Sequence, residues 1–482
     1  MPETKILKRK ITNPHTRVHK MDTKYIASLV ILFLIGIGIG YGAAYGIYAA
    51  QKPATETITS TVTSTVTLGG GGGGTVTVTK TVTSTGGIPQ ELDTRNVYTL
   101  SWDQIVQLAK KEGEVVWYGF GSTYERNFFT NLCQMFTKET GIKCTYVHGS
   151  WFDTVQRLIS EKKAGKTVGS IDVVLAWSKP FEMAYTAGAV YDVNLAEIIP
   201  NAKGIPFVAK YFHDMYPTNG RHLPILSWWV GFLYRKDLLK PSELPQSFDE
   251  LLEWVKKHPG KFTYCDPNKG GSGHTFLIGL AEWYYGYDKF AFAAFSEKRA
   301  EELFNSPGKY NMSFWDYLNT LEKYMYMPGT YPQGNKATIE LFEAGKVWLE
   351  PMWISITMQE VESGRLNPDW VGMYIPKPTM PGPFDGVFIP FNAPHKAAAL
   401  VFINWLLSDK VQALIPEKIG AYPAVTKAWE LVPQSVKEQP WWPKNPPYND
   451  LITWRNFGPL WFRHADYMFY LMQQWVNLVA RK

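Results

Sequence analysis

The sequence has few cysteines and little net charge outside its N-terminal end. Its 482 residues include three cysteines, too few for a disulfide framework, and no C-x-x-C motif. The formal net charge is +6, but the first 24 residues carry seven Lys or Arg against Glu3 and Asp22, which accounts for +5 of it. The remainder is nearly neutral, so there is no electrostatic case for binding nucleic acid.

Common catalytic motifs are also missing. The sequence contains neither H-E-x-x-H nor a Walker A motif. Gly270–His274 (GGSGH) lacks the second glycine of G-x-S-x-G, so it does not form a nucleophile elbow. We therefore expect no enzyme activity, no cofactor and no metal site. A tethered extracellular hydrolase with dispersed catalytic residues is the alternative.

Cys133 and Cys144 are either a disulfide pair or two free thiols. Cys133 falls in a predicted helix and Cys144 in the strand that follows it. Outside the cell, where disulfides persist, the two can pair. Two buried thiols on neighbouring elements are the equal alternative.

The N-terminal part predicts a membrane anchor and a tether. Tyr25–Ala50 is a run of 26 residues without a charge, and at ~1.5 Å per residue a helix of that length crosses a ~30 Å hydrocarbon core. The basic residues 1–24 precede it, which predicts a cytoplasmic N-terminus and an extracytoplasmic remainder. Residues 51–90 are rich in Thr, Ser and Gly and predict a tether. A cleaved signal peptide ending near Ala49–Ala50 is the alternative.

The first part of the outer region alternates between strand and helix patterns. Predicted strands at Glu114–Tyr118, Ile142–His148 and Ile171–Ala176 are separated by helices, the first of which begins at the capping box Ser122–Glu125. Such alternation predicts a parallel, doubly wound sheet. Ligands of these sheets bind in the crevice beyond the carboxyl ends of the strands.

A second unit is predicted from Trp228 onward, because the roughly 390 outer residues exceed the size of a single core. Ser247–Glu250 is another capping box, Lys261–Asp266 is a predicted strand, and a glycine-containing loop leads into a helix that starts near Ser272. A helix start after such a loop leaves backbone N–H groups free to face a cleft.

Four stretches together resemble a known family. They are Asn219–Pro224 (NGRHLP), Gly231–Leu239 (GFLYRKDLL), Pro245–Leu252 (PQSFDELL) and Ala397–Ser408 (AAALVFINWLLS). In this order and spacing they are similar to extracellular solute-binding proteins of ABC importers (family 1, type II periplasmic-binding-protein-like). Pro259–Tyr264 and Gly273–Leu277 resemble the YnjB-like receptors, near the thiamine-, iron- and polyamine-binding branches. His274 departs from the T-G-T-A-F-L type element of that branch, which leaves the ligand open.

The resemblance implies an α/β fold of two lobes, each a mainly parallel sheet with flanking helices. Lobe 1 would comprise 91–227 and 385–420, and lobe 2 would comprise 228–384 and 421–482. The chain would cross between lobes near Ser227–Gly231, near Pro383–Val387 and near Gly420. The implied function is a membrane-anchored receptor, at the cell membrane with its binding domain outside, that closes on a small organic solute and delivers it to an ABC permease. A ligand-sensing or adhesive ectodomain is a further alternative, although the 24 cytoplasmic residues are too few for a signalling module.

Candidate ligand contacts lie at the predicted strand ends, the helix start and the crossing segments. Trp177, Trp228 and Trp353 offer flat apolar faces, with core packing as the alternative for each. The mid-helix pair Tyr284–Tyr285 resembles the tyrosines of ferric receptors, but adjacent helical residues face different directions, so no metal is expected. The solute would be thiamine-like, a polyamine or a sugar. The remaining candidates are Phe120, Ser122, Tyr124, Ser272, Gly273, His274, Thr275 and Asp385, where His274 facing solvent and Asp385 as a turn residue are alternatives.

Overall fold

A computed structural model describes residues 58–67, 75–84, 89–214, 216–286, 289–290, 295–377, 380–444 and 465–480. The predicted cytoplasmic segment 1–24 and anchor 25–50 lie outside these residues. Among the described residues, no single helix has the length and apolar character needed to cross a membrane. Only as a pair, bent by 67°, do Lys396–Leu406 and Asp409–Ile419 meet that test by length and composition.

The chain divides into two units, Met1–Gly87 and Ile88–Lys482. In the first unit, strands β1 (Ile58–Thr67) and β2 (Thr75–Ser84) pair in antiparallel register from Ile58 with Ser84 to Thr67 with Thr75. Both strands alternate β-branched Thr and Val with few interruptions, a composition that favours extended backbone. This hairpin lies within the predicted tether 51–90, for which the sequence predicted no strands.

The described residues of the second unit form ten further strands. They are β3 (Glu114–Gly119), β4 (Lys143–His148), β5 (Val173–Ala176), β6 (Phe212–His213), β7 (Tyr216–Pro217), β8 (Leu223–Arg235), β9 (Leu349–Trp353), β10 (Val371–Tyr374), β11 (Met380–Phe388) and β12 (Tyr422–Pro423).

Helices surround these strands. The α-helices are Trp102–Glu112, Thr123–Thr140, Trp151–Lys163, Ser178–Thr186, Leu195–Ile198, Phe207–Tyr211, Phe248–Lys257, Gly271–Tyr285, Glu297–Asn305, Phe314–Glu322, Asn335–Glu343, Ile354–Glu362, Lys396–Leu406, Asp409–Ile419, Gln434–Lys437 and Asp466–Trp475. Short 3₁₀ segments lie at Asn96–Tyr98, Pro200–Gly204, Pro241–Glu243, Lys309–Asn311, Pro368–Trp370 and Thr426–Leu431, and a π-helical turn at Val476–Ala480.

Eight strands form one mixed sheet in the order β10-β8-β11-β5-β3-β4, with β9 and β12 also paired to β8. The prediction of parallel strands is confirmed for β3, β4 and β5, where β3 pairs in parallel with both others. It is wrong for the rest, because β9, β10, β11 and β12 all pair antiparallel with β8. The sheet is therefore not mainly parallel in its second half.

The reason lies in the length and burial of β8. All 13 residues of this strand are buried, so it has no polar face whose period marks its direction or register. Its partner β9 follows more than a hundred residues later and returns along it, with Val230 opposite Trp353 and Tyr234 opposite Leu349. The predicted strand Lys261–Asp266 is likewise absent, and Phe262 makes only an isolated bridge to Leu349.

Local helix signals agree with the structure at Ser122–Glu125 but not at Ser247–Glu250, where the Ser247 side chain makes no capping hydrogen bond and the Glu250 carboxylate accepts from the backbone N–H of Gln246 instead. Ser122 accepts a hydrogen bond from the backbone N–H of Glu125, whose carboxylate accepts from the backbone N–H of Ser122, so both halves of the predicted capping box are present. The helix ends at Gly141, which takes a left-handed conformation with φ of 75°. The sequence therefore fixes where the helix beside the crevice begins.

Two large apolar clusters pack against the sheet. One includes Phe402, whose ring contacts those of Trp117 and Phe136, and the other includes Phe232, Phe276 and Tyr317. Within the first cluster, Cys133 and Cys144 form a disulfide with a Cα–Cα distance of 4.9 Å. The structure thus resolves the two interpretations of these cysteines in favour of pairing.

Candidate functional site

A cavity of about 400 Å³ lies where the carboxyl ends of β3 and β5 meet β8 and β11. Its walls come from segments far apart in the sequence. The lining residues are Phe120, Gly121, Ser122, Glu125, Phe129, Trp177, Trp228, His274, Trp353, Ser355, Ile356, Gln359, Pro383, Asp385 and Met468.

Seven of the eleven predicted contacts lie in this lining. The structure brings together Phe120, Ser122, Trp177, Trp228, His274, Trp353 and Asp385. The first three follow directly after β3 and β5, as expected for side chains beyond the carboxyl ends of parallel strands.

Trp353 is held between two glycines. It ends β9 and precedes the Ile354–Glu362 helix. A Cβ added at Gly271 would lie 2.8 Å from its ring, and one at Gly382 would lie 2.6 Å from it. Both are closer than any carbon contact allows, so the absence of side chains at Gly271 and Gly382 makes room for the indole. Half-buried, the ring packs against both large apolar clusters and forms part of the cavity wall.

Trp228 and Asp385 form a buried polar pair. The Trp228 indole Nε1 donates a hydrogen bond of 2.7 Å to Oδ2 of Asp385. Burial raises the pKa of Asp385 to about 7, with Glu125 and Asp214 adding to the rise, and the bond from Trp228 opposes it. Near neutral pH this carboxyl therefore exchanges readily between its neutral and charged forms.

Trp177 joins a row of aromatic rings. Its ring centroid lies 5.8 Å from that of Trp151 at 77°, and 6.3 Å from that of Phe469 on the Asp466–Trp475 helix. Edge-to-face geometry with Trp151 fixes the orientation of the Trp177 indole. Trp177 is half-buried, so part of the ring is open to the cavity.

The charged lining is acidic. Among the described residues, the cavity wall contains the carboxyl groups of Asp385 and Glu125 and no Lys or Arg. His274 adds an imidazole whose Nδ1 lies 3.4 Å from the carbonyl oxygen of Pro267. With the rings of three tryptophans and Phe120, the wall combines aromatic faces with negative charge.

Four predicted contacts do not line the cavity. Tyr124 donates its hydroxyl hydrogen to the carboxylate of Glu362. Ser272 is buried and donates to Oδ1 of Asn335 at 2.8 Å. A side chain at Gly273 would meet the carbonyl oxygen of Cys265 at 2.3 Å, so this position packs against backbone. Thr275 is fully buried, so on this helix only His274 turns to the cavity.

Several lining residues were not predicted. Ser355 and Gln359 are four residues apart on the Ile354–Glu362 helix and therefore share a face. If a helix had been predicted directly after Trp353, its periodicity would have indicated both residues as candidate contacts. Glu125 was predicted only as a capping partner, and Met468 lies in a C-terminal stretch for which no helix or strand was predicted.

The tyrosine pair on the Gly271–Tyr285 helix bonds to backbone. Tyr284 donates to the carbonyl of Met312 at 2.8 Å, and Tyr285 donates to the carbonyls of Ser306 at 3.0 Å and Phe304 at 3.1 Å. Within the described ranges, no group of three His, Cys, Asp or Glu side chains is placed to hold a metal ion.

Comparison with known proteins gives consistent matches. The model of the family described as "Bacterial extracellular solute-binding protein" matches residues 131–446. YnjB of Escherichia coli (strain K12) is 27% identical over 319 residues, which span 64% of this chain and 78% of YnjB.

Solved structures show the same fold. An ABC transporter structure from Clostridium perfringens ATCC 13124 is 17% identical, with a TM-score of 0.53 over 76% of this chain and 99% of its own. The spermidine/putrescine ABC transporter substrate-binding protein PotD from Streptococcus pneumoniae is 15% identical, with a TM-score of 0.51 over 76% and 99%. At these identities the likeness shows a common periplasmic-binding-protein-like α/β fold.

Proposed function

This chain belongs to the bacterial extracellular solute-binding proteins, and we propose that it captures a small organic solute between two lobes and delivers it to an ABC importer. The observation that carries the proposal is the cavity itself. Its wall joins Phe120, Ser122 and Trp177 to His274 and Trp353, residues from the two regions that the family resemblance implies are different lobes. A solute there would contact both.

The proposed lobes are 91–227 with 385–420 and 228–384 with 421–482. The three proposed crossings support this division, since β8, β11 and β12 lie side by side. Ser227 of β8 is opposite both Phe384 of β11 and Tyr422 of β12. Crossing strands that lie side by side at one place form a compact hinge about which lobes can rotate.

Besides the Trp228–Asp385 hydrogen bond and the Trp177–Phe469 ring contact, polar pairs also join the proposed lobes. Tyr124 bonds to Glu362, and Lys179 forms a salt bridge of 2.9 Å with Asp466. Both pairs are partly exposed, so each contributes only modestly to the closed arrangement. Solute contacting both lobes would add the further stabilisation needed to favour closure.

The solute is proposed to be thiamine-like, a polyamine or a sugar. The cavity is lined by the aromatic side chains of Phe120, Phe129, Trp177, Trp228 and Trp353, and aromatic faces suit flat or cationic organic groups. A bare inorganic anion would call for more N–H donors and fewer rings.

Membrane attachment is part of the proposal. Residues 25–50 would anchor the chain, with 1–24 in the cytoplasm and 51–90 as tether. Protease added to intact cells is expected to release a soluble domain cut within 51–88. Release without protease, with a new N-terminus near Gln51, would instead show a cleaved signal peptide.

Small-angle scattering tests the capture mechanism. The full chain is purified from its host, the retained solute is identified by native mass spectrometry, and scattering is recorded with and without that solute. A smaller radius of gyration with solute is expected, and an unchanged radius would contradict closure. Recovery of a chemically altered solute would contradict the receptor function altogether.

A further inference from the structure

Asp385 has the most buried carboxyl group of the cavity lining, and no hydrogen bond or salt bridge to a cationic side chain is seen for it among the described residues. Its side chain is 5% exposed, and Oδ2 accepts the Trp228 hydrogen bond. Among the described residues, the cavity wall places no Lys or Arg beside it. A buried carboxylate without a counter-ion is costly, so a positive charge on the ligand would relieve that cost.

The aromatic part of the wall favours the same ligand charge. Trp177, Trp228 and Trp353 line one cavity with Asp385, and indole faces attract cations through their quadrupoles. Glu125 contributes a second carboxyl group on the same wall. Aromatic faces combined with carboxyl groups are the chemistry that holds organic ammonium and heterocyclic cations.

One feature of the wall attracts the opposite charge. The Ile354–Glu362 helix begins at the cavity, and Ser355 and Ile356 of its first turn belong to the lining. A helix N-terminus carries about half a positive charge. Because each ionised carboxyl carries a full negative charge, the helix end can accommodate an anionic group elsewhere on the solute but does not reverse the preference.

We infer that the solute carries a positively charged nitrogen, that Asp385 is its counter-ion, and that binding releases a proton from Asp385. This inference rests on the proposed receptor function, and it deepens that function by assigning the charge of the solute and the residue that selects it.

The proton release follows from linkage. In the free cavity the pKa of Asp385 is about 7 because of burial, and a bound cation would lower it by favouring the carboxylate. Below pH 7 binding must displace a proton, whereas above pH 7 the carboxylate is already formed. Affinity is therefore expected to rise about tenfold from pH 6 to pH 8.

Other titratable groups surround Asp385. Burial lowers the pKa of His222 to about 4 and that of His213 well below its usual range, and burial raises the pKa of Tyr146. These three stay neutral between pH 6 and pH 8. The remaining neighbours are Glu125, Asp214 and His274.

The first arm of the test identifies the charge of the bound solute. The full chain in mild detergent is equilibrated with choline, thiamine, putrescine, glycine betaine, 3,3-dimethylbutan-1-ol, glucose, citrate and fructose 6-phosphate. Native mass spectrometry then identifies what is retained. We expect retention of solutes among choline, thiamine, putrescine and glycine betaine, each of which carries a positively charged nitrogen. The neutral alcohol 3,3-dimethylbutan-1-ol has the shape of choline without its charge and should not be retained.

The outcomes separate the two claims. Retention of neutral or anionic solutes alone would overturn the charge assignment and leave the receptor function standing. Retention of no solute of any class, with none co-purified from the host, would overturn the proposed function as well.

The second arm tests Asp385 with the retained cation. Asp385→Asn, close to an isostere of the protonated side chain, should weaken binding about 10- to 100-fold at pH 8 and abolish the pH dependence. His274→Gln should retain the pH dependence. Glu350→Gln, which changes a buried carboxyl outside the cavity lining, should leave affinity and its pH dependence unchanged.

Wild-type affinity independent of pH from 6 to 8 would overturn the proton release. A pH dependence that persists in Asp385→Asn would overturn the assignment to this residue. Because wild-type chain alone supplies the first of these measurements, the inference is testable even where a variant folds poorly.

Discussion

Trp228 Nε1 donates to Asp385 Oδ2 across 157 positions of sequence, and the bond joins neighbouring strands β8 and β11. The pair links the aromatic wall of the cavity to its buried carboxyl group. Because both strands belong to the proposed hinge, the cavity's polarity and its mechanics depend on the same two residues.

Replacing Trp228 with Phe should destabilise the domain and weaken solute binding. The ring face is largely kept, but the carboxyl of Asp385 loses its donor, at a cost of about 1–3 kcal/mol. Because the lost bond had lowered the pKa of Asp385, that pKa should rise further in the variant. Thermal unfolding and calorimetric titration with the co-purified solute measure the two effects.

Trp229→Phe is the matched control. Its indole donates to the hydroxyl of Ser227 at 3.0 Å and does not line the cavity. The Trp229→Phe variant should be less stable than wild type, but its affinity for the solute should be unchanged. Equal losses of affinity in Trp228→Phe and Trp229→Phe would show that the first variant acts only by loosening β8.

Trp353→Ala should weaken solute binding about 2- to 30-fold, since stacking contributes ~0.5–2 kcal/mol per contact. The side chain is half-buried, so the folded domain should persist. Trp353→Phe keeps an aromatic face and should retain most of the affinity. If the Ala variant unfolds at a much lower temperature while affinity stays intact, Trp353 is a core residue rather than a ligand contact.

The part of the fold predictable from sequence is the part determined by local signals. Ser122 with Glu125 predicts a helix start, and the alternation around β3, β4 and β5 predicts parallel pairing. The antiparallel half depends on β8, which is buried throughout, so its partners are chosen by contacts distant in sequence. No short-range sequence pattern predicts that β9 pairs antiparallel with β8.

The same distinction applies to the cavity. Residues directly after strands, such as Phe120 and Trp177, were predictable because strand ends meet at one edge of a sheet. On the helix from Gly271 to Tyr285, the predicted helix start indicated four consecutive residues, whereas the ~100° rotation per residue allows only part of them to face one side. The structure selects His274, the residue at which this sequence departs from the related receptors.

Glu350 should make stability depend on pH. It is fully buried in β9, and neither carboxyl oxygen has a hydrogen-bond partner among the described residues. Burial raises its pKa well above the usual range. Its contribution to stability is therefore complete below the unfolded pKa of about 4.3 and is lost as pH rises through the folded pKa.

Glu350→Gln removes that titration. The variant's melting temperature minus that of wild type should grow as pH is raised from 4 to 8. The reason is that the wild-type free energy of unfolding falls by up to ~1.4 kcal/mol per pH unit until the folded pKa is reached. Measuring both proteins across this range cancels the titration of Asp385, which they share. A difference that stays constant with pH would mean that Glu350 is not held neutral by the fold.

The disulfide between Cys133 and Cys144 should stabilise the outer domain. It joins the Thr123–Thr140 helix to β4 over a sequence separation of 11. In the chain-entropy account, closing a loop of that size contributes ~3 kcal/mol. Reduction with dithiothreitol should therefore lower the melting temperature by about 2–8 °C, because each kcal/mol corresponds to a few degrees in a domain this large.

The variant with Ala at both Cys133 and Cys144 is the control for the reductant. It should melt below wild type, and dithiothreitol should not change its melting temperature. Thiol labelling of the denatured, unreduced wild-type chain should detect Cys265 alone, the free cysteine of the structure. Labelling of all three cysteines, with a melting temperature unaffected by reductant, would mean that the two thiols are only neighbours. The helix and β4 would then be held together by packing around Phe129 and Phe136 and by the hydrogen bond of 2.9 Å that the Cys144 backbone N–H donates to Thr137 Oγ1.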